Sequence, residues 1–168
     1  MFVIGEKVVY PVHGAGVIES IETREILGEQ RSYYVLRLST GELRVLVPVD
    51  TVEKLHLRPI SPRAKLDEVT AILQGLAQAD CPWEENWNKR YRMNMEKIKS
   101  GDICQLAEVV RSLAQRDQDK GLSAGEKKML DNARKILVSE IVLCAGLTPE
   151  EAVLSGTVTE AEPEEETD

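Results

Sequence analysis

The sequence NWNKRYR, which begins at residue 86, sets two aromatic side chains among three cations: Trp87, Tyr91, Lys89, Arg90 and Arg92. Cations contact phosphates, and an aromatic ring can stack on a base or enter a base step, so these residue types suit a nucleic-acid contact. The chain nevertheless has a formal net charge of −8, and an acidic protein should repel a polyanion. Whether this segment could contact nucleic acid therefore depends on where the acidic residues lie in the chain.

The charge is unevenly distributed along the chain. Residues 1–145 contain 21 cations and 21 acids, whereas residues 146–168 contain eight acids and no cation. Residues 86–135 contain 12 cations and seven acids. The acidic character therefore belongs to the C-terminal tail, and the segment around NWNKRYR is locally basic.

The aromatic residues of this segment belong to a stripe with helical spacing: Trp83, Trp87, Tyr91, Met95 and Ile98. Such a stripe most often packs into a core, which suits Met95 and Ile98. Trp87 lies near the predicted start of the helix, so the periodicity leaves open whether its ring is buried or exposed. Lys127 and Lys128 fall in the first turn of a later predicted helix, where they oppose the helix dipole and weakly favour an anionic partner.

Enzymatic chemistry finds little support in the sequence. His13 and His56 have no metal-ligand spacing to a cysteine, and we expect both at turns or on the surface. The glycines after His13, in HGAG, fit a tight bend or a bulge better than a phosphate-binding loop. Cys81, Cys104 and Cys144 form no C-x-x-C pair, which is typical of free thiols in a reducing, cytoplasmic setting. We therefore expect no catalytic residue, no metal, no cofactor and no small-molecule substrate.

The first sixty residues contain four candidate strands: EKVVYP, GAGVIESIETREI, RSYYVLRLS and ELRVLVPV. Short glycine-containing turns separate them, and no helical pattern lies between them, so the pattern indicates a small antiparallel barrel or meander. The size of the segment favours a small antiparallel β-barrel of the SH3-like or Tudor-like kind over residues 1–60. In the last strand Arg44 and Leu46 should point outward, and Pro48 should place the strand at a sheet edge. The alternate residues of that strand should face the core: Leu43, Val45, Val47 and Val49.

Helical patterns begin after RPISPRAK. The signals predict one helix from Pro62 to about residue 78, a second from DCPWEEN to residue 100, a third capped by Asp102, and a fourth capped by Ser123 in an S-x-x-E box with Glu126. We therefore predict an α+β multidomain chain with an all-α bundle over residues 61–146. Residues 147–168 should form a short helix and a disordered acidic tail. No stretch has the length and apolar character of a signal peptide or a membrane span.

These segments resemble the CarD family of bacterial transcription regulators. The resemblance runs from residue 5 to about residue 140, without the acidic tail, and rests on long segments in the same order: GEKVVYPVHGAGVIESIETR, GEQRSYYVLRL, NWNKRYRMNMEKIKSGD, LAEVVRSLAQRDQDKGLSAGEKKML and ARKILVSE. It implies that a Tudor-like N-terminal domain binds the β subunit of RNA polymerase. It also implies that the helical domain contacts promoter DNA, with weak sequence preference, at the upstream edge of the transcription bubble.

The resemblance assigns the DNA contact to particular residues. Trp87 matches the tryptophan with which the family wedges the minor groove and slows closure of the open complex. The basic residues beside that tryptophan are matched by Lys89, Arg90 and Arg92. With Lys127 and Lys128 they form the expected DNA-binding set.

For RNA polymerase, Arg24 and Ile26 match contact positions of the family on the second strand. Leu46 stands where well-studied relatives carry an arginine. Arg44, two residues earlier on the same outward face, would supply the missing charge. The expected polymerase-binding set is therefore Arg24, Ile26, Arg44 and Leu46.

Two other functions stay open at this point. One is a polymerase-binding adaptor without an important DNA contact, resembling the related domain of transcription-repair coupling factors. The other is a protein–protein scaffold with a Tudor-like receptor surface. The candidates for an aromatic cage on it are Tyr10, Tyr33 and Tyr34, but the last two should lie on opposite faces, which disfavours a cage. In each case we expect a cytoplasmic monomer with no membrane partner, and the acidic tail would compete with DNA for the basic residues.

Overall fold

Strands precede helices along the chain. The computed structural model describes residues 1–39, 43–75 and 85–146. A one-turn 3₁₀ helix at Val49–Thr51 follows the fourth strand. The strands and helices of the described residues are β1 (Lys7–Tyr10), β2 (Gly14–Ile26), β3 (Glu29–Leu38), β4 (Arg44–Pro48), β5 (Arg58–Pro59), α1 (Lys65–Gln74), α2 (Trp87–Lys99), α3 (Ile103–Asp119) and α4 (Ala124–Ala145). An α+β chain with an antiparallel sheet followed by helices is thus confirmed.

The five strands form one antiparallel sheet in the order β4-β3-β2-β1-β5. Strands β4 and β5 are its two edges, so the sheet is open and the predicted closed barrel is wrong. Strand β5 has only two residues, and Pro59 has no N–H to donate. Strand β5 therefore offers too few backbone hydrogen bonds to close the sheet by pairing with β4. Pro48 lies on an edge strand, as its missing N–H indicated.

The longest hairpin joins β2 to β3 through two residues, Leu27 and Gly28. Their φ angles are 54° and 80°, and left-handed φ values at both central positions characterise the two-residue turns that match strand twist. Ile26 pairs with Glu29 directly across the turn. The predicted second strand, GAGVIESIETREI, has the bounds of β2.

One face of the sheet covers a small core centred on Tyr34, Leu36 and Val47. The predicted alternation of the fourth strand holds for Val47, which is buried, and for Val45 and Val49, which pack against this core while partly exposed. It is wrong for Leu43, because this residue precedes β4 and lies exposed beyond the core. The larger core lies among the four helices of the described residues.

Side-chain caps fix the starts of three helices. Asn86 accepts from the Lys89 N–H at the start of α2, Asp102 from the Cys104 and Gln105 N–H groups at α3, and Ser123 from the Glu126 N–H at α4. The caps predicted at Asp102 and Ser123 are therefore confirmed. Helix α1 is shorter than predicted and stops at Gly75, whose φ of 78° takes the chain out of the helix. The second predicted helix opens at DCPWEEN, and α2 is capped by Asn86, the last residue of that segment. Residues 80–84 of the segment and the elements predicted after residue 146 lie outside the described residues.

A buried carboxylate joins the sheet to the helices. Glu140 of α4 is 0% exposed, and its two oxygens each accept a 2.8 Å hydrogen bond from the Arg58 guanidinium on β5. The Ser61 N–H donates to the same carboxylate at 2.9 Å, and Arg58 Nε donates to the Gly101 carbonyl. The predicted domain boundary near residue 60 is therefore tied directly to α4.

The turn between β1 and β2 makes a second connection to α4. The Ala15 N–H donates to Ser139 Oγ at 2.8 Å, and Ser139 in turn donates to the Ile136 carbonyl. Gly14 is required here, because a Cβ at this position would lie 2.9 Å from Ser139 Oγ and the φ of 112° disfavours other residues. Val12 of the same turn packs against the helical core at a φ of 75°, so tertiary packing holds a β-branched residue in a strained conformation. The glycine bend predicted in HGAG is thus present.

None of the helices in residues 1–39, 43–75 and 85–146 combines the length and apolar character that a membrane crossing requires.

Breaking the buried ion pair should cost far more than breaking an exposed one. We expect Arg58→Met to lower the free energy of unfolding by about 3–5 kcal/mol, because it leaves the Glu140 carboxylate buried without a cation. The matched control is Arg44→Met, whose partner Glu19 forms a solvent-exposed pair, and its cost should be roughly 0–1 kcal/mol. Urea unfolding of the two variants measures both values, and equal losses would contradict the structural role of Glu140.

Candidate functional site

The polymerase-binding residues predicted from the sequence share one face of the sheet. Residues paired across neighbouring strands lie on the same face, and successive residues of a strand alternate between faces. Because Tyr34 and Leu36 of β3 face the core, the odd-numbered residues of β3 face outward. Their cross-strand partners must face outward with them: Arg24 pairs with Arg31, Ile26 with Glu29, Arg44 with Arg37 and Leu46 with Val35.

This outward face has an apolar centre and a charged rim. Tyr33 and Val35 are buried near its middle, and Leu46 stands exposed beside Val35. Around them run exposed ion pairs: Arg24 with Glu22 at 2.8 Å, Arg44 with Glu19 at 2.7 Å and Arg31 with Glu29 at 3.7 Å. A dry centre with a polar rim is the usual layout of a protein–protein interface.

The contacts of this face bear on two predictions, the charge supplied by Arg44 and the absence of a cage between Tyr33 and Tyr34. Arg44 lies on the same face as Leu46, but its guanidinium is paired with Glu19, so any contribution to a partner requires sharing or breaking that pair. Tyr33 and Tyr34 lie on opposite faces and both are buried. These two rings therefore form no aromatic cage.

The second site is the corner where α2 and α4 begin. Trp87 is the first residue of α2 and its side chain is 42% exposed. Its indole stacks on the Tyr91 ring, with centroids 5.0 Å apart and planes 20° apart, and its Nε1–H donates to Ser123 Oγ at 3.0 Å. The ring is thus partly open to solvent and held at two points.

Arg90 has a different environment from the one expected of a phosphate contact. Its side chain is 12% exposed, and its guanidinium binds both oxygens of Glu126, at 2.6 and 3.2 Å, while Glu126 itself is 2% exposed. A further guanidinium N–H donates to the Glu85 carbonyl at 3.1 Å. Arg90 therefore links the first turn of α2 to the first turn of α4.

The remaining predicted cations lie on the surface around this corner. Lys127 and Lys128 are exposed on the first turns of α4 and line a shallow depression with Ala124 and Asp131. Lys89 and Arg92 are exposed on α2, about 200° and 140° around the helix from Trp87 at 100° per residue. Lys89 and Arg92 therefore lie near the side of α2 opposite Trp87, and Lys127 and Lys128 are exposed on the neighbouring helix α4.

Other reactive side chains give no sign of a catalytic centre in the described residues. His13 is exposed and rests against the Tyr10 ring, and His56 is exposed in a turn. Burial and a hydrogen bond to Glu68 raise the pKa of the Cys104 thiol to about 11, so it is a poor nucleophile at neutral pH. The described residues contain no group of three side chains able to hold a metal ion.

Sequence reasoning missed the tertiary roles of Ser123 and Glu126. The S-x-x-E pattern marked these residues as the start of a helix, and Ser123 does accept from the Glu126 N–H. The same pattern carries no signal that the hydroxyl also binds the Trp87 indole or that the carboxylate pairs with Arg90.

Two family models together match most of the chain. The model described as CarD, C-terminal domain, matches residues 69–155, and the model described as CarD-like/TRCF RID domain matches residues 2–61. The chain is also 42% identical, over 149 residues, to a Bacillus subtilis (strain 168) protein described as "Putative transcription factor YdeB". That match spans 88% of this chain and 95% of the Bacillus protein.

Two neighbouring arginines of α2 should differ sharply in their effect on stability. We expect Arg90→Met to lower the free energy of unfolding by about 3–5 kcal/mol, because Glu126 would remain buried without its cation. The same substitution at exposed Arg92 should change it by roughly 0.5 kcal/mol or less. Thermal or urea unfolding compares them, and a stable Arg90→Met variant would show that this ion pair does not hold the helices together.

Proposed function

The chain belongs to the CarD family of transcription factors, and we propose that it binds the β subunit of RNA polymerase and promoter DNA together. In this proposal the outward face of the five-stranded sheet contacts the polymerase. The corner where α2 and α4 begin contacts the minor groove at the upstream edge of the transcription bubble. The protein then stabilises the open complex without catalysing a reaction.

The polymerase contact is supported by the surface chemistry of the sheet and by the match of residues 2–61 to the RID domain. An apolar centre ringed by paired charges suits a protein partner better than a polyanion, because the arginines of the rim are already neutralised. Arg24, Ile26, Arg44 and Leu46 are the proposed contacts. Leu46 would enlarge the apolar centre, and Arg44 would exchange Glu19 for an acid of the partner.

The observation that carries the DNA contact is the half-exposed, stacked indole of Trp87, at a corner where both helices carry exposed cations. An apolar ring can enter a base step of the minor groove, and the two phosphate strands then lie to its left and right. Lys89 and Arg92 of α2, with Lys127 and Lys128 of α4, are the proposed phosphate contacts. Arg90 would act indirectly, by holding α2 against α4.

The energy required is small. Promoter opening is an equilibrium, and a protein that binds the open form more tightly shifts it by the difference in affinity. A tenfold shift needs ~1.4 kcal/mol, which one inserted ring and a few phosphate contacts can supply. Docking on the polymerase would raise the effective concentration of the helical corner beside the junction, so weak intrinsic DNA binding suffices.

Removing the ring should weaken the open complex without affecting recruitment. We expect Trp87→Ala to shorten open-complex lifetime by about threefold to tenfold at a promoter that responds to the native protein, while polymerase binding stays unchanged. Trp87→Phe, which keeps an apolar ring, should lose less. The lifetime is measured by competitor challenge. An unaltered lifetime with Trp87→Ala would favour the rival function of a polymerase-binding adaptor that makes no important DNA contact.

Reversing a charge on the outward face should abolish recruitment. We expect Arg24→Glu to lower affinity for the polymerase β subunit at least tenfold, because it would leave acids unpaired against the partner. Thr23→Glu is the matched control, since Thr23 is exposed on the opposite face of the same hairpin. Co-purification with polymerase distinguishes the two variants, and equal retention of both would exclude this face as the contact.

A further inference from the structure

The hydroxyl of Ser123 accepts two hydrogen bonds from different helices. It accepts from the Glu126 N–H at 3.3 Å, which caps α4, and from the Trp87 indole N–H at 3.0 Å. A serine hydroxyl has two acceptor lone pairs, and these two donors occupy both. The residue that starts α4 is thus also the residue that orients the indole at the start of α2.

The surroundings of the indole leave it little freedom to turn. One face stacks on Tyr91, and its Nε1–H, the single polar group of the ring, is bound to Ser123. Gly125 lies next to the ring, since a Cβ there would be 3.6 Å from Trp87 Cζ2. The Arg90–Glu126 pair fixes the spacing of the two helices, and Ser123 fixes the ring within that space.

We propose that Ser123 is a positioning residue for Trp87: its hydroxyl holds the half-exposed indole in the orientation that enters DNA. The inference rests on the proposed DNA contact and adds a residue to it that does not touch DNA. The ring is then pre-organised in the free protein, and binding need not restrict its rotamers.

The size of the effect follows from the fraction of molecules with a correctly oriented ring. When the binding-competent conformation is partly populated, apparent affinity falls by that fraction. An unrestrained tryptophan distributes over several side-chain rotamers. Loss of one hydrogen bond of typical net strength therefore predicts a reduction of about fivefold in open-complex lifetime.

The test separates the capping role of Ser123 from its contact with the indole. Ser123→Gly removes the hydroxyl, while glycine at an N-cap costs the helix only a few tenths of a kcal/mol. Asp102→Gly makes a corresponding change at the N-cap of α3, where the side chain accepts from Cys104 and Gln105. Ser123→Thr keeps a hydroxyl at the same position and should preserve the native behaviour.

Two measurements are made on the full-length variants. The Trp87 indole N–H resonance, identified by its loss in Trp87→Phe, reports the hydrogen bond directly. Open-complex lifetime reports the consequence. We expect Ser123→Gly to shift the resonance, speed its exchange with water and shorten the lifetime about fivefold, whereas Ser123→Thr and Asp102→Gly leave both close to native.

The outcomes distinguish this inference from the proposed function. If Trp87→Ala shortens the lifetime and Ser123→Gly does not, the positioning role is overturned while the wedge stands. If Asp102→Gly shortens the lifetime as much as Ser123→Gly, the effect comes from helix stability and the positioning role is overturned. If Trp87→Ala has no effect, the proposed function fails and the positioning role fails with it.

Discussion

The fully buried carboxylate of Glu140 is the constraint on which the arrangement of this chain depends. A carboxylate without solvent costs several kcal/mol unless a cation and hydrogen-bond donors surround it. Arg58 and the Ser61 N–H supply those donors from the end of the sheet and the segment that follows it. The sheet cannot move away from α4 without leaving this charge unsatisfied, so the two parts of the described chain hold a fixed relation.

A second buried carboxylate paired with an arginine lies near the start of α4. Glu126 is also buried and also binds an arginine, Arg90 of α2. The two carboxylates are 14 residues apart on one helix, a rise of about 21 Å. Helix α4 therefore connects the sheet at one end to the Trp87 corner at the other. Buried ion pairs often add little net stability. We attribute to these two pairs the positions of β5 and α2 relative to α4.

Local chemistry made much of the fold predictable. Strand-forming residues on both sides of a short glycine-containing turn indicated the β2–β3 hairpin, and the Asp102 and Ser123 caps marked helix starts. These signals lie within a few residues of one another in the sequence. Closure of the sheet was predicted wrongly, since it depends on whether two distant edges pair, and the two-residue β5 has no pattern to read. Periodicity left the exposure of Trp87 undecided, and family resemblance favoured exposure.

The environment of Arg90 also depends on a residue that is distant in the sequence. Its place beside Trp87 and two other cations suggested a phosphate contact, but the buried partner that determines its role lies 36 residues away. Sequence neighbours share a charge pattern without sharing an environment. At this corner one arginine holds the helices together, whereas the lysines remain on the surface.

Charge placement fits a protein that acts on DNA only at a polymerase. The acids in excess lie in residues 146–168, and the rest of the chain is neutral overall. On the sheet, arginines 24, 31 and 44 are each paired with a glutamate, which weakens their attraction for phosphate. Long-range attraction to free duplex should therefore be weak. In the proposed function, docking on the polymerase would hold Trp87 beside the opened DNA, and a contact that is weak on its own would become selective there.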